Sequence, residues 1–132
     1  NWIQFEITET VATECNAGLR RVAEEFTDAG IGLCLDDFGS GYANLNAVLK
    51  LPFQCIKMDR SMLNGIRQHK VAGEFYRNIV TILRQQGYAI VAEGVEEQEE
   101  VELLEAWGVD MIQGYYFSRP LPVDELLKLL NM

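Results

Sequence analysis

The chain has 132 residues, 48% of them apolar, and a formal net charge of −9. That is enough for one domain with its own core, but short for a closed eight-stranded α/β barrel, which usually takes roughly 250 residues. The charge argues against a nucleic-acid polymer as partner, because such binding rests on Lys and Arg neutralising phosphates, and leaves open a small phosphorylated ligand held through cations.

A first strand is expected from Trp2 to Ile7, carrying Glu6. The next helix places Leu19, Val22, Ala23 and Phe26 at i, i+3, i+4, i+7 spacing, a single apolar stripe, and Gly30 closes it. The second strand, Gly32-Leu-Cys-Leu-Asp36-Asp37, runs into a flexible loop, Phe38-Gly-Ser-Gly-Tyr42, and a short helix with Leu45, Val48 and Leu49 that Pro52 stops. A third strand is predicted from Cys55 to Asp59. A longer helix follows, with Phe75, Ile79, Ile82 and Leu83 on one face; His69, among polar residues near its start, reads as surface. The fourth strand covers Ala89 to Val95. Its helix carries Val101, Leu104 and Trp107, with Glu97, Glu99, Glu100 and Glu102 as a solvated face matched to the helix dipole. A fifth strand is predicted from Met111 to Phe117, and a last helix with Leu126, Leu127, Leu129 and Leu130 after Pro120 and Pro122.

Near-continuous apolar strands alternating with amphipathic helices predict a parallel α/β sheet with right-handed crossovers. No linker interrupts the chain, and the units share architecture without forming a sequence repeat. Cys34 and Cys55 read as buried thiols in strands. With Cys15 they make an odd count without a disulfide framework, which favours a reducing, cytoplasmic setting. Neither a signal peptide nor a bilayer-spanning run is visible, so no membrane contact is expected from this segment. The chain starts at Asn1, inside a strand, and is expected to be a piece of a longer protein that could be anchored through other domains.

Four carboxylates and a lysine fall at strand ends, where α/β folds place their chemistry. Asp36 and Asp37 are adjacent, and alternation lets both reach one site only where the strand is turning; Gly39 and Gly41 supply that freedom. Crowded carboxylates repel, a divalent cation relieves this, and oxygen ligands suit Mg²⁺ or Mn²⁺. The bland alternative for either Asp is a helix N-cap. Lys57 sits between Ile56 and Met58, where it can pair with the acids or form a structural ion pair with Asp59 or Glu93. Glu9 and Glu96 each lie three residues beyond an acid and suit supporting roles. Core packing is the better reading for Tyr115, Tyr116 or Phe117 taken singly; together they could make a stacking surface. On the acids and lysine alone, an enolase-like enzyme fits almost as well.

Five stretches carry a resemblance: Phe5-Glu-Ile-Thr-Glu9, Leu35-Asp-Asp-Phe-Gly-Ser-Gly-Tyr42, Ile56-Lys-Met-Asp-Arg-Ser61, Val91-Ala-Glu-Gly-Val-Glu96, and Gln113-Gly-Tyr-Tyr-Phe-Ser-Arg-Pro-Leu-Pro122. In this order the chain resembles the C-terminal part of an EAL domain, the bacterial cyclic di-GMP phosphodiesterase module. The resemblance implies that residues 1–132 form about the last five β/α units of a TIM-like (β/α)₈ barrel. It implies two cations, Mg²⁺ or Mn²⁺, on Glu6, Asp36 and Asp37, with Lys57 and Glu93 orienting and activating the attacking water. Glu9 would hold the Asp36–Tyr42 loop, Asp59, Glu96 and Gln113 would support the site, and Phe117 with Gln113 would meet the substrate. The Glu-Ala-Leu segment that names the family, and the Asn ligand after it, are not in the chain. The piece is therefore expected to be incomplete for catalysis by itself and to self-associate or dimerise. The competing class is a non-catalytic module that binds cyclic di-GMP or a protein.

Overall fold

Thr8 both ends the first strand and starts a helix, a junction the apolar pattern does not announce. In the computed structural model, which describes residues 3–41 and 44–131, β1 spans Gln4–Thr8 and α1 spans Glu9–Thr13. The Thr8 side-chain oxygen accepts from Val11 N, and Glu9 lies in the first turn, where the dipole favours an acid. The predicted strand start at Trp2 and the loop end at Tyr42 lie outside the described residues.

Helix α2 (Ala17–Asp28) is capped by Asn16, which accepts from Leu19 N at 2.9 Å. Ala23 is buried, and Leu19 and Phe26 pack on the core, but Val22 is 39% exposed; the buried stripe is one residue narrower than predicted. After β2 (Gly32–Phe38), α3 (Leu45–Lys50) and β3 (Cys55–Met58), the single long helix predicted next is two. Helix α4 (Arg60–Gln68) and α5 (Lys70–Gln85) break at His69, whose backbone is extended at φ −142°, ψ 123°. Asp59 is not in the strand: it caps α4, accepting from Ser61 N at 2.8 Å.

On α5 the buried line is Tyr76, Val80 and Leu83, at i, i+4, i+7, with Ile79 beside it. Phe75 and Ile82, predicted on the inner face, are 57% and 54% exposed. Tyr76 takes that place because its ring meets Trp107 at 5.8 Å, an aromatic contact that a pattern of aliphatic residues does not anticipate. Strand β4 (Ala89–Glu93) stops two residues early because Gly94 turns the chain at φ 72°. Helix α6 (Gln98–Ala106) leads to a short β5 (Met111–Gln113), and Tyr115–Phe117 lie in the turn beyond it. Helix α7 (Val123–Leu129) closes the chain with no buried residue. No helix among the described residues is long and apolar enough to cross a membrane.

All strand pairs are parallel, and the sheet order is β1-β2-β3-β4-β5. Sequential order means every crossover winds the same way, as in a barrel wall, and differs from the reversal that defines a doubly wound sheet. Alternation then divides the residues between two faces. Leu33, Leu35, Ile56, Met58, Ile90 and Ala92 join the main core with Leu63, Val80 and Leu104 from the helices. Glu6, Cys34, Asp36, Cys55, Lys57, Val91 and Glu93 alternate with them and share the opposite face. The architecture is α/β, a five-stranded part of a TIM-like barrel.

Candidate metal centre

Strand β2 carries an irregularity that sets the site. Leu35 pairs with Ile56 and Phe38 with Met58, so Asp36 and Asp37 together oppose one residue, Lys57. This is a β-bulge, and it bends side chains that would otherwise point to opposite faces. Asp37 takes up the extra residue at φ 58°, a left-handed conformation that Asp tolerates better than most side chains. The freedom expected of Gly39 and Gly41 is only half needed. Gly39, at φ 88°, turns the chain against Met62, where a Cβ would collide; Gly41 has neither a positive φ nor a close neighbour.

Lys57 stands at the centre. Its ammonium lies 2.9 Å from Glu6 Oε1, 3.1 Å from Asp36 Oδ1 and 2.9 Å from Glu93 Oε1, joining acids from β1, β2 and β4. Burial works against its charge, but the carboxylates of Glu93, Glu6 and Asp36 around it prevail and hold its pKa above the ordinary lysine value. Lys57 is thus a fixed cation, not a proton shuttle near neutrality. The pKa of Glu93 is also raised: burial pushes it up, Lys57 opposes this, and Asp36 and Asp37 add to it. Asp37 is likewise raised, first by burial and then by Asp36.

Asp36, Asp37 and Glu93 each place a carboxylate oxygen within 4.8 Å of the others, a cluster that could hold a metal ion. Asp36 Oδ1 is buried and has no hydrogen-bond partner among the described residues, its charge being met by the Lys57 ammonium 3.1 Å away. A buried carboxylate oxygen with no hydrogen-bond donor among the described residues, beside two other acids, is a fitting environment for a hard divalent cation. Glu6, expected among the ligands, is half exposed and outside that trio, held by Lys57.

The supporting residues frame this group. Glu9, 7% exposed, accepts from Gly39 N at 2.9 Å and Asn44 N at 2.6 Å, spanning the loop after β2. Glu96 pairs with Arg60 at 2.6 Å. Gln113 ends β5 and lines, with Tyr115, Arg119 and Leu126, a cavity of about 620 Å³. Tyr115, Tyr116 and Phe117 are 51%, 42% and 56% exposed, so core packing is not their role; the fifth strand ends before them, and their rings pack on neighbours at the surface. Tyr116 and Phe117 meet edge to face at 5.0 Å, and the Arg119 guanidinium sits 4.6 Å from the Tyr115 ring centre.

Two features escaped the sequence reading. Glu100, placed there on a solvated face, is 8% exposed; it accepts from Glu96 N and Glu97 N and pairs with Arg67 at 2.6 Å, fixing the loop after β4. Its spacing from Glu97 was the available signal. Tyr76 has a buried hydroxyl without a partner among the described residues, for which the sequence offers no sign.

A family model described as the EAL domain matches residues 1–120. The chain belongs to the EAL domain family. The cyclic di-GMP phosphodiesterase PdeL of Escherichia coli K12 is 34% identical over 123 residues, covering 93% of this chain and 34% of that protein. Among solved structures, the EAL enzyme Bd1971 in its cAMP-bound form superposes with TM-score 0.89 at 29% identity, over 97% of this chain and 34% of that one. The PaMucR phosphodiesterase in complex with c-di-GMP gives 0.84 at 32% identity, over 94% and 50%. This EAL chain spans only 15% to 34% of the length of the curated relatives it matches.

Proposed function

We propose that this chain supplies the acid and lysine side of a cyclic di-GMP phosphodiesterase that opens the cyclic dinucleotide to its linear form. The observation that carries the reading is the convergence of Glu6, Asp36 and Glu93 on Lys57, with Asp36, Asp37 and Glu93 close enough to share a cation. Family membership and the phosphodiesterase names of relatives support the substrate.

Asp36, Asp37 and Glu6 would hold divalent cations, Mg²⁺ or Mn²⁺, two in number. Bound there, they would supply Lewis acidity for phosphodiester hydrolysis. Lys57 sets a permanent positive charge against the phosphate oxygens. Glu93, with its pKa raised, takes the proton of the attacking water more readily than an ordinary carboxylate. The water oxygen bonds to phosphorus as one ester P–O bond breaks, and the departing ribose oxygen takes up a proton, leaving a linear dinucleotide. Glu9 holds the loop after β2 by its two backbone hydrogen bonds, and Glu96, through Arg60, steadies the loop after Glu93. Asp59 starts the helix beneath. Gln113 and Phe117 face the ligand at the rim, and the active form is a self-associated one.

The test is hydrolysis of cyclic di-GMP with Mn²⁺, with and without chelator, by this chain and by a longer chain that contains it. Chelator-sensitive linear product in the longer chain, lost in Lys57→Ala, is the expected result. Tight, metal-independent binding without product in the longer chain would replace the reading with a binding module. Independently, Asp36→Asn should weaken Mn²⁺ binding to this chain at least about tenfold, a loss of roughly 1.4 kcal/mol; unchanged affinity would refute the metal assignment.

A further inference from the structure

The face that carries the acids holds a second chemical group that the hydrolytic reading does not use. Cys34 and Cys55 are register partners on the paired strands β2 and β3. Both side chains point to the acid-bearing face, because each is two residues before a member of the site, Asp36 and Lys57 respectively. They are 1% and 3% exposed, both are free thiols, and with Val91 they form a small cluster separate from the main core. The Cys34 thiol donates to the Leu35 carbonyl at 4.0 Å, and Cys55 sits directly across the strand pair from it in the same buried cluster.

Register partners on neighbouring strands have Cα atoms about 4.8 Å apart, within the roughly 4.4–6.8 Å that a disulfide spans. Two thiols already in contact need only side-chain rotation to bond. We propose that Cys34 and Cys55 are an oxidisable dithiol, converted by a small hydroperoxide into a disulfide that staples β2 to β3 one pleat below the Asp36–Lys57 ion pair. The burial selects the oxidant class: hydrogen peroxide can reach these sulfurs, whereas a bulky disulfide such as oxidised glutathione is shut out.

The chemistry balances without another reactant. One cysteine sulfur attacks the peroxide, an S–O bond forms as O–O breaks, and the departing oxygen leaves as water with the thiol proton. The second sulfur attacks the resulting sulfenic acid; S–S forms, S–O breaks, and the hydroxide leaves as a second water with the remaining thiol proton. Two thiols are oxidised by two electrons and one peroxide is reduced to two waters. A dithiol reductant reverses the bond. Because the staple joins the strands that carry Asp36 and Lys57, closing it changes the spacing of that pair; this consequence rests on the proposed hydrolytic site, whereas the disulfide does not.

The test uses the native chain with Cys15→Ser, which removes the third thiol. After treatment with hydrogen peroxide and quenching, intact mass and peptide mapping are read. The expected result is a loss of about 2 Da, a Cys34–Cys55 cross-linked peptide within one chain, and reversal by dithiothreitol. Cys34→Ala should abolish the cross-link. Retention of both thiols, stepwise gain of oxygen to sulfinic acid, or a cross-link found only between chains would overturn the proposal. None of these readouts depends on phosphodiesterase activity. A Mn²⁺ titration of the oxidised and reduced forms then reports the effect on the site.

Discussion

At the scale of single residues, the decisive position is Lys57. One ammonium joins carboxylates from three strands, and its own burial would be prohibitive without them. Lys57→Met should therefore destabilise the fold by about 2 kcal/mol, less than the 3–5 typical of a fully buried pair because Glu6 remains half exposed. Denaturant unfolding checks this, and Mn²⁺ should restore part of the loss if the acids bind it; an indifferent Mn²⁺ response would count against the site. Glu100 gives a pH-dependent case. Burial opposes its charge, but the N–H groups of Glu96 and Glu97 and the Arg67 guanidinium outweigh it, and its pKa lies below the ordinary 4.5. A carboxylate whose folded pKa is depressed stabilises above the unfolded value and loses that contribution as pH falls through the folded one. Glu100→Gln should thus cost about 1.5 kcal/mol near pH 7, and the gap to the parent should close as pH falls below about 4.5. A gap constant from pH 7 to pH 3 would show that shape, not charge, is what Glu100 contributes.

At the scale of elements, the segments after β4 and β5 are tied to each other by backbone hydrogen bonds. Val95 N donates to Gln113 O, and Tyr116 N donates to Val95 O, so the chain beyond β4 is laced to the chain beyond β5. Gly114 sits in that lacing with no room: a Cβ there would fall 2.0 Å from Val95 O. Gly114→Ala must push backbone from backbone, with an expected cost of about 3 kcal/mol. The drop in melting temperature should be accompanied by faster hydrogen exchange at Val95 and Tyr116; an unchanged melting temperature would mean the two loops are not held so closely. The sequence showed the five strands, because buried parallel strands are short apolar runs between helical periodicities. It also showed which acids and which lysine those strands carry, although among them only Glu93 is the last residue of its strand. What it could not show were events that depend on a neighbour: the break at His69, the turn at Gly94 that shortens β4, and the choice of Tyr76 over Phe75 on α5. Helix α1 was legible in principle, from Thr8 followed by Glu9, but its five residues are too few for a periodic signal. The adjacency of Asp36 and Asp37 pointed to a turning strand, whereas the actual device, two residues set against one, exists only in the pairing with β3.

At the scale of the molecule, among the described residues the sheet has two open edges, β1 and β5, and a last helix that buries nothing. Ile3, Met111, Val123, Leu129 and Leu130 are all about half exposed or more. Open strand edges with apolar flanks invite pairing with another chain. Sedimentation should find this chain above monomer mass, increasingly so with concentration; a compact monomer at all concentrations would sink that expectation. The bulge in β2 has a further consequence at this scale. It gives up regular pairing with β3, which weakens the fold, in order to set two negative groups side by side. Deleting Asp37 would let β2 run straight and would remove one of those groups. A library of variants sorted for thermal tolerance alone should accordingly enrich changes at position 37, and those clones would form a record of how far robustness and chemistry compete in this chain.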